Sequence, residues 1–183
     1  DEGGGKLSKR FDSLSIKTLR RDGVEPRAMT CYLATLGSSK SPEPMGFDAL
    51  AQEYDLSRIS KSAPRFDMKQ VLTLNRRILS TMEFQDVKDR LPEGATEQFW
   101  LIIRSNIDLL TECPHWWHVV SGEIVAPEQP EEAAYLALAA SLLPAAPWSE
   151  ETWSEWTKEI GTATERKGKA LFRPLRLALT GEE

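Results

Sequence analysis

Asp67-Met68-Lys69-Gln70-Val71-Leu72-Thr73-Leu74-Asn75-Arg76-Arg77-Ile78-Leu79-Ser80-Thr81-Met82 is the stretch that decides the fold class. Asp67 and Gln70 have capping-box spacing, so a helix can open here. Val71, Leu74, Ile78 and Met82 then recur at helical spacing and make a one-sided apolar stripe. Such a stripe predicts a helix packed on a core. The same kind of pattern runs outward in both directions. Upstream, Val24-Glu25-Pro26 starts a helix with proline at its first position, and Gly37 ends it. Met29, Leu33 and Leu36 follow its spacing, with Tyr32 alongside. Residues 38–46 read as a loop. Asp48 is expected to cap a short helix carrying Leu50 and Ala51, and Asp55 the next, with Leu56 and Ile59.

Downstream, Leu91-Pro92-Glu93-Gly94 reads as a break. Thr96 caps an apolar helix with Phe99, Trp100, Ile103, Ile107 and Leu110 on its stripe. Pro127 and Pro130 flank a linker. Residues 131–143 are rich in alanine and leucine and predict a helix, ended by Pro144 and Pro147. Ser149 is expected to cap the next, with Glu150 and Glu151 in its first turn and Trp153, Trp156 and Ile160 on one buried face. No alternating strand run, internal repeat or heptad is present. The expected fold is all-α with little or no β structure.

The chain has 183 residues and a formal net charge of −5. An apolar share of 40% with 28% charged residues argues against global disorder. No apolar run approaches a membrane span and no secretory pattern opens the chain, so no membrane partner is expected. Cys31 and Cys113 are unclustered, which suits a reducing, cytoplasmic setting. A start at Asp1-Glu2-Gly3, without an initiator Met, reads as part of a longer protein.

Charge is divided unevenly. Residues 1–92 carry 16 basic against 13 acidic side chains; residues 93–183 carry 7 against 15. Yet five of those seven cations, Arg166, Lys167, Lys169, Arg173 and Arg176, fall in one segment free of acids. A local basic patch on an acidic background favours defined phosphate contacts over non-specific coating.

Three segments carry a family resemblance. Lys6-Leu7-Ser8-Lys9-Arg10, behind three glycines, looks like the KMSKS loop of class I aminoacyl-tRNA synthetases. Residues 55–67, with Ser60-Lys61-Ser62-Ala63-Pro64-Arg65, resemble the segment after the family's stem-contact helices. Residues 166–181, from Arg166-Lys167-Gly168-Lys169 to Gly181, resemble the last signature of the anticodon-binding region. Together they resemble the C-terminal part of bacterial-type glutamyl-tRNA synthetases. Phe11-Asp12 stand where the family often has His-Gly, which touches the loop's substrate contacts.

The resemblance implies three parts: residues 1–10 as a KMSKS-like loop, 11–75 as stem-contact helices and 76–183 as a helical anticodon-binding domain. Composition alone would put a boundary nearer 91–94. The whole enzyme would join L-glutamate to its tRNA through an adenylate, using ATP with magnesium. Lys6 and Lys9 would be its catalytic lysines, binding ATP together with Ser8 by stabilising phosphate charge as the loop closes. The His-x-Gly-His signature of the nucleotide-binding core does not occur in these residues, so this chain alone is expected to be inactive, to hold no ATP or magnesium and to leave its loop disordered. The glutamylating paralogue that modifies queuosine-bearing tRNA is disfavoured, because it lacks an anticodon-binding region.

RNA contacts are expected at Arg166, Lys167, Lys169, Arg173 and Arg176, since arginine can both stack on splayed bases and hydrogen-bond their edges. Gly168 should make residues 166–169 a loop. Pro174 should occupy the first turn of a short helix ending before Gly181, with Arg173 and Arg176 on one face and Leu175, Leu177 and Leu179 packing. Ser60, Lys61 and Arg65 suit phosphate contacts, which position RNA without reading it. Arg76 and Arg77 point different ways on their helix, so at most one of them would face RNA. Cys113-x-His115-x-x-His118 has metal-ligand residue types but lacks a fourth partner, and no metal is expected. The expected partner is the glutamate tRNA, bound by a monomer. A helical scaffold or protein-interaction module without RNA binding is the alternative.

Overall fold

The computed structural model describes residues 15–182 and, among them, contains helices and connecting loops but no strand. Two compact units divide at Val120/Ser121. The first is built from α1 (Ile16–Arg21), α2 (Pro26–Thr35), α3 (Phe47–Glu53), α4 (Met68–Leu79), α5 (Phe84–Val87), α6 (Glu97–Ile103) and most of α7 (Cys113–Ser121). The second holds α8 (Ala133–Ser141), α9 (Thr152–Thr164) and α10 (Lys169–Thr180).

Helix α4 follows its sequence closely. The Asp67 carboxylate accepts from the Lys69 amide at 2.9 Å. Gln70 reaches back to the same carboxylate at 3.1 Å, a variant of the expected box. Val71, Leu74 and Ile78 are buried against α2, where Ala28, Cys31 and Tyr32 are also buried. Each such aliphatic side chain removed from water contributes roughly 1.5–3 kcal/mol. One residue further, Leu79 enters a second core with Val87, Phe99, Trp100, Ile103, Ile107, Leu110 and Cys113. Thus α4 serves two cores, and the sequence boundary at 75/76 falls inside it.

Asn75, on the same helix, is fully buried. Its side-chain oxygen accepts from the Glu25 amide at 2.8 Å and its nitrogen donates to the Asp108 carbonyl at 2.6 Å. Glu25 is itself buried and meets Arg90 at 2.7 Å. At Gly23, φ is +92° and an added Cβ would lie 3.0 Å from Thr111. Only glycine takes both the dihedral and the close approach there.

Helix starts agree with the sequence where a side chain caps them. Thr96 accepts from the Phe99 amide at 3.2 Å and Asp55 from the Ser57 amide at 2.9 Å. Elsewhere the structure corrects the reading. Gly46, not Asp48, is the cap of α3, and Asp48 sits in its first turn. Glu151, not Ser149, caps α9; the Ser149 hydroxyl instead closes a turn by accepting from the Glu151 amide at 3.2 Å. Helix α6 stops at Ile103, although Ile107 and Leu110 beyond it are buried in the same core. The apolar spacing continued while the backbone left the helix.

The second unit packs Tyr135 and Ala139 of α8 against Trp156 and Ile160 of α9 and Leu171 and Leu175 of α10. The Trp156 indole donates to the Ala139 carbonyl at 2.8 Å. Trp153, expected on the buried face, is 44% exposed, because the core closes on Trp156 and Ile160.

A candidate nucleic-acid interface

The basic segment begins where α9 ends. Glu165, the C-cap, has φ +57° in the left-handed region. Gly168 follows at φ +55° and ψ −132°, a combination suited to glycine, and lets α10 start at Lys169. The loop expected at residues 166–169 is present over 166–168, but Lys169 is already the first residue of α10. Pro174, however, is not in the first turn; it is the sixth of the twelve residues of α10.

An internal proline removes one helix hydrogen bond and crowds the carbonyl four residues back. That carbonyl belongs to Ala170, and the Arg166 guanidinium donates to it at 3.3 Å. The neighbouring Leu171 carbonyl accepts from the Tyr135 hydroxyl at 2.5 Å. The helix therefore continues through proline because two side chains from outside it satisfy its carbonyls. Arg166 is further held by an ion pair with Glu132 and lies 4.1 Å over the Tyr135 ring. Burial pushes the Tyr135 phenol up, the nearby Glu132 pushes it the same way, and Arg166 opposes both. Gln129 adds a hydrogen bond to the Pro174 carbonyl at 3.2 Å. Sequence reasoning missed this network, whose members Glu132, Tyr135 and Arg166 are brought to Pro174 only by the packing of α8 and the 165–168 loop on α10.

Lys167, Lys169, Arg173 and Arg176 are exposed. Lys169, Arg173 and Arg176 are spaced four and three residues apart and form one outward stripe on α10. Leu175 is buried and Leu177 partly so, but Leu179, expected to pack, is 50% exposed. A cleft of about 370 Å³ runs beside the stripe, lined by Gln129, Glu132, Lys169, Arg173, Pro174 and Leu177.

In the first unit, the predicted phosphate-contact residues Ser60, Lys61 and Arg65 are all exposed. The Ser60 amide donates to the Gly37 carbonyl at 2.8 Å, and the Ser60 hydroxyl accepts from Ser62 at 3.1 Å, which fixes the turn. Arg65 and Lys40 line one cleft of about 200 Å³. Arg76 and Arg77 do point apart: Arg76 pairs with Asp108 at 2.8 Å and Arg77 with Glu43 at 2.5 Å. The Arg77 hydrogen bond holds the Glu43 carboxyl below its ordinary range. Lys6, Ser8 and Lys9 lie outside the described residues. Cys113 is buried in the second core, and burial with the Glu112 charge pushes its thiol up to about 11. Among the described residues no group of three or more His, Cys, Asp or Glu is placed to hold a metal ion, and no helix is long and apolar enough to cross a membrane.

A family profile described as "Anticodon binding domain" matches residues 120–183, the span of the second unit. Over all 183 residues the chain is 57% identical to a protein of Gluconacetobacter diazotrophicus named glutamate–tRNA ligase 2. It is 55% identical, also over 183 residues, to the Gluconobacter oxydans protein of the same name. It spans 41% of the length of each. Among solved structures, a glutamate tRNA ligase from Elizabethkingia meningosepticum, crystallised with its amino acid, superposes with a TM-score of 0.64 at 20% identity. That match covers 90% of this chain and 37% of the other, and it supports the helical fold. Over its whole length the chain is thus similar to part of these glutamate–tRNA ligases, and its residues 120–183 match an anticodon-binding domain.

Proposed function

We propose that this chain is the part of a glutamate–tRNA ligase that binds the glutamate tRNA and reads its anticodon. The observation that carries the proposal is a coincidence of place. The span matching an anticodon-binding profile is the compact unit that bears the exposed Lys169–Arg173–Arg176 stripe. Such cations neutralise phosphates and fix register, while base-edge contacts supply specificity. In this reading Lys167, Lys169, Arg173 and Arg176 meet RNA directly. Arg166, engaged with Glu132, Tyr135 and Ala170, acts as a positioning residue that holds the loop and the α10 stripe in place. Ser60, Lys61 and Arg65 supply phosphate contacts from the other unit.

The whole enzyme, working as a cytoplasmic monomer, would activate L-glutamate with ATP and magnesium and pass it to the tRNA. Lys6, Ser8 and Lys9 would steady the phosphates in that step.

The deciding experiment titrates the chain with transcribed glutamate tRNA against salt, beside the same tRNA with its anticodon replaced. Binding weakened by the replacement supports anticodon reading. Equal binding of both would leave backbone contacts alone. Absence of binding at low salt would overturn the reading in favour of a scaffold.

A further inference from the structure

Trp153, in the first turn of α9, and Phe172, in the first turn of α10, are exposed aromatic side chains that lie together. Their ring centroids are 6.4 Å apart with planes inclined by 31°. Trp153 is 44% and Phe172 42% exposed. Trp153 is backed edge-on by Trp156 at 5.7 Å, and Trp156 is anchored in the core by its bond to Ala139. The pair is therefore held from behind and open in front.

The surroundings give the pair a chemistry. Phe172 is three residues after Lys169 and four before Arg176, so both cations are its neighbours on the helix surface. Among the described residues, neither cation takes part in an ion pair. Leu179, 50% exposed and one further two-turn step along, extends the apolar edge. The face of α10 thus carries two adjoining tracks, one cationic (Lys169, Arg173, Arg176) and one aromatic-apolar (Phe172, Leu179), the second widened by Trp153 of α9. A protein partner would be served by the apolar track alone. A nucleic acid with unpaired bases needs both, because the backbone follows the charge while each base presents a π-face to a ring.

We infer that Phe172, braced by Trp153, is a stacking platform for an unpaired base of bound RNA, with Lys169 and Arg176 on the flanking phosphates. The inference rests on the RNA-binding reading above. Stacking contributes affinity that salt does not screen, whereas the lysine and arginine contribute the salt-dependent share.

The test compares Phe172→Leu, Phe172→Tyr, Lys169→Ala and Arg176→Ala in the full chain. Each is titrated with glutamate tRNA carrying 2-aminopurine in its anticodon loop, at several salt concentrations. Phe172→Leu keeps the bulk and loses the ring; it should weaken binding about five-fold or more, leave the salt slope unchanged and reduce quenching of the reporter base. Phe172→Tyr should bind within about two-fold of the parent, since its ring stacks equally. Lys169→Ala and Arg176→Ala should each lower the salt slope by about one. Parent-like binding and quenching by Phe172→Leu, with weakening by the two alanine variants, would overturn the platform and leave RNA binding standing; a protein partner would then own the aromatic track. No binding by the parent chain would overturn both. If Phe172→Leu unfolds, the quenching by the parent and the affinity of Phe172→Tyr decide the matter alone.

Discussion

Two residues hold conformations or protonation states that cost or supply stability in a measurable way. Glu165 ends α9 in the left-handed region, where a side chain is unfavourable by roughly 1–2 kcal/mol. Glu165→Gly removes that strain at a position where helices commonly use glycine. After allowance for the looser unfolded chain, it should stabilise the second unit by about 1 kcal/mol, seen as a Tm several degrees higher. An unchanged or lower Tm would mean the backbone is not held there. Cys113 gives a pH effect. Its folded thiol keeps its proton to about 11, against an ordinary value of 9.0. The folded state thus binds the extra proton between those values, and stability must fall as pH rises through that window. The loss should reach about 2–3 kcal/mol. Urea melts from pH 8 to 11 should show it in the parent and a flatter profile in Cys113→Ala; parallel profiles would remove the thiol from the account.

Among the elements, α10 shows how far sequence carries and where it stops. Proline is a helix breaker on intrinsic preference, so sequence placed Pro174 in a first turn, where its missing N–H is harmless. The real helix carries it in the middle because Arg166 and Tyr135 occupy the carbonyls around it. Those partners come from a loop and from α8, and no local rule points to them. By contrast, helix starts marked by Asp55, Asp67 and Thr96 were legible, since the cap and its amide are two or three residues apart. Helix ends were less so: the stripe reaching Ile107 and Leu110 marked burial correctly and helix wrongly beyond Ile103. At the candidate site the cationic stripe could be read from the sequence, but the exposure of Trp153 and the internal engagement of Arg166 could not. Arg166→Ala should therefore destabilise the second unit by about 2 kcal/mol through the lost carbonyl bond, ring contact and ion pair. Circular-dichroism melts check this. A drop in RNA affinity with no drop in Tm would instead place Arg166 directly on the RNA.

For the molecule as a whole, charge sets the terms of any RNA encounter. The chain is acidic, at −5, yet its exposed candidate cations are Lys61 and Arg65 in one unit and Lys167, Lys169, Arg173 and Arg176 in the other. Full engagement of these six predicts a slope of log K against log salt of about −4 to −5. A slope of about −3 would mean that only the second unit touches the backbone, and one of about −1.5 that only the first does. A slope near zero would remove electrostatics from the interaction.

Asn75, described above as a buried side chain with two partners, bears on how the chain settles into one fold. It joins positions 50 residues earlier and 33 residues later. Oily side chains tolerate sliding past one another; an amide among them does not, because only one alignment of the three segments supplies both a donor and an acceptor at that point. Asn75 is then less a source of cohesion than a lock on alignment. Asn75→Leu strands the Glu25 amide and the Asp108 carbonyl away from water, at about 1–3 kcal/mol each. The expected product is a collapsed, helical chain with interchangeable packing, recognised by retained far-ultraviolet dichroism, poor NMR dispersion and binding of a hydrophobic dye. A sharp, parent-like NMR spectrum would show that shape alone aligns the segments.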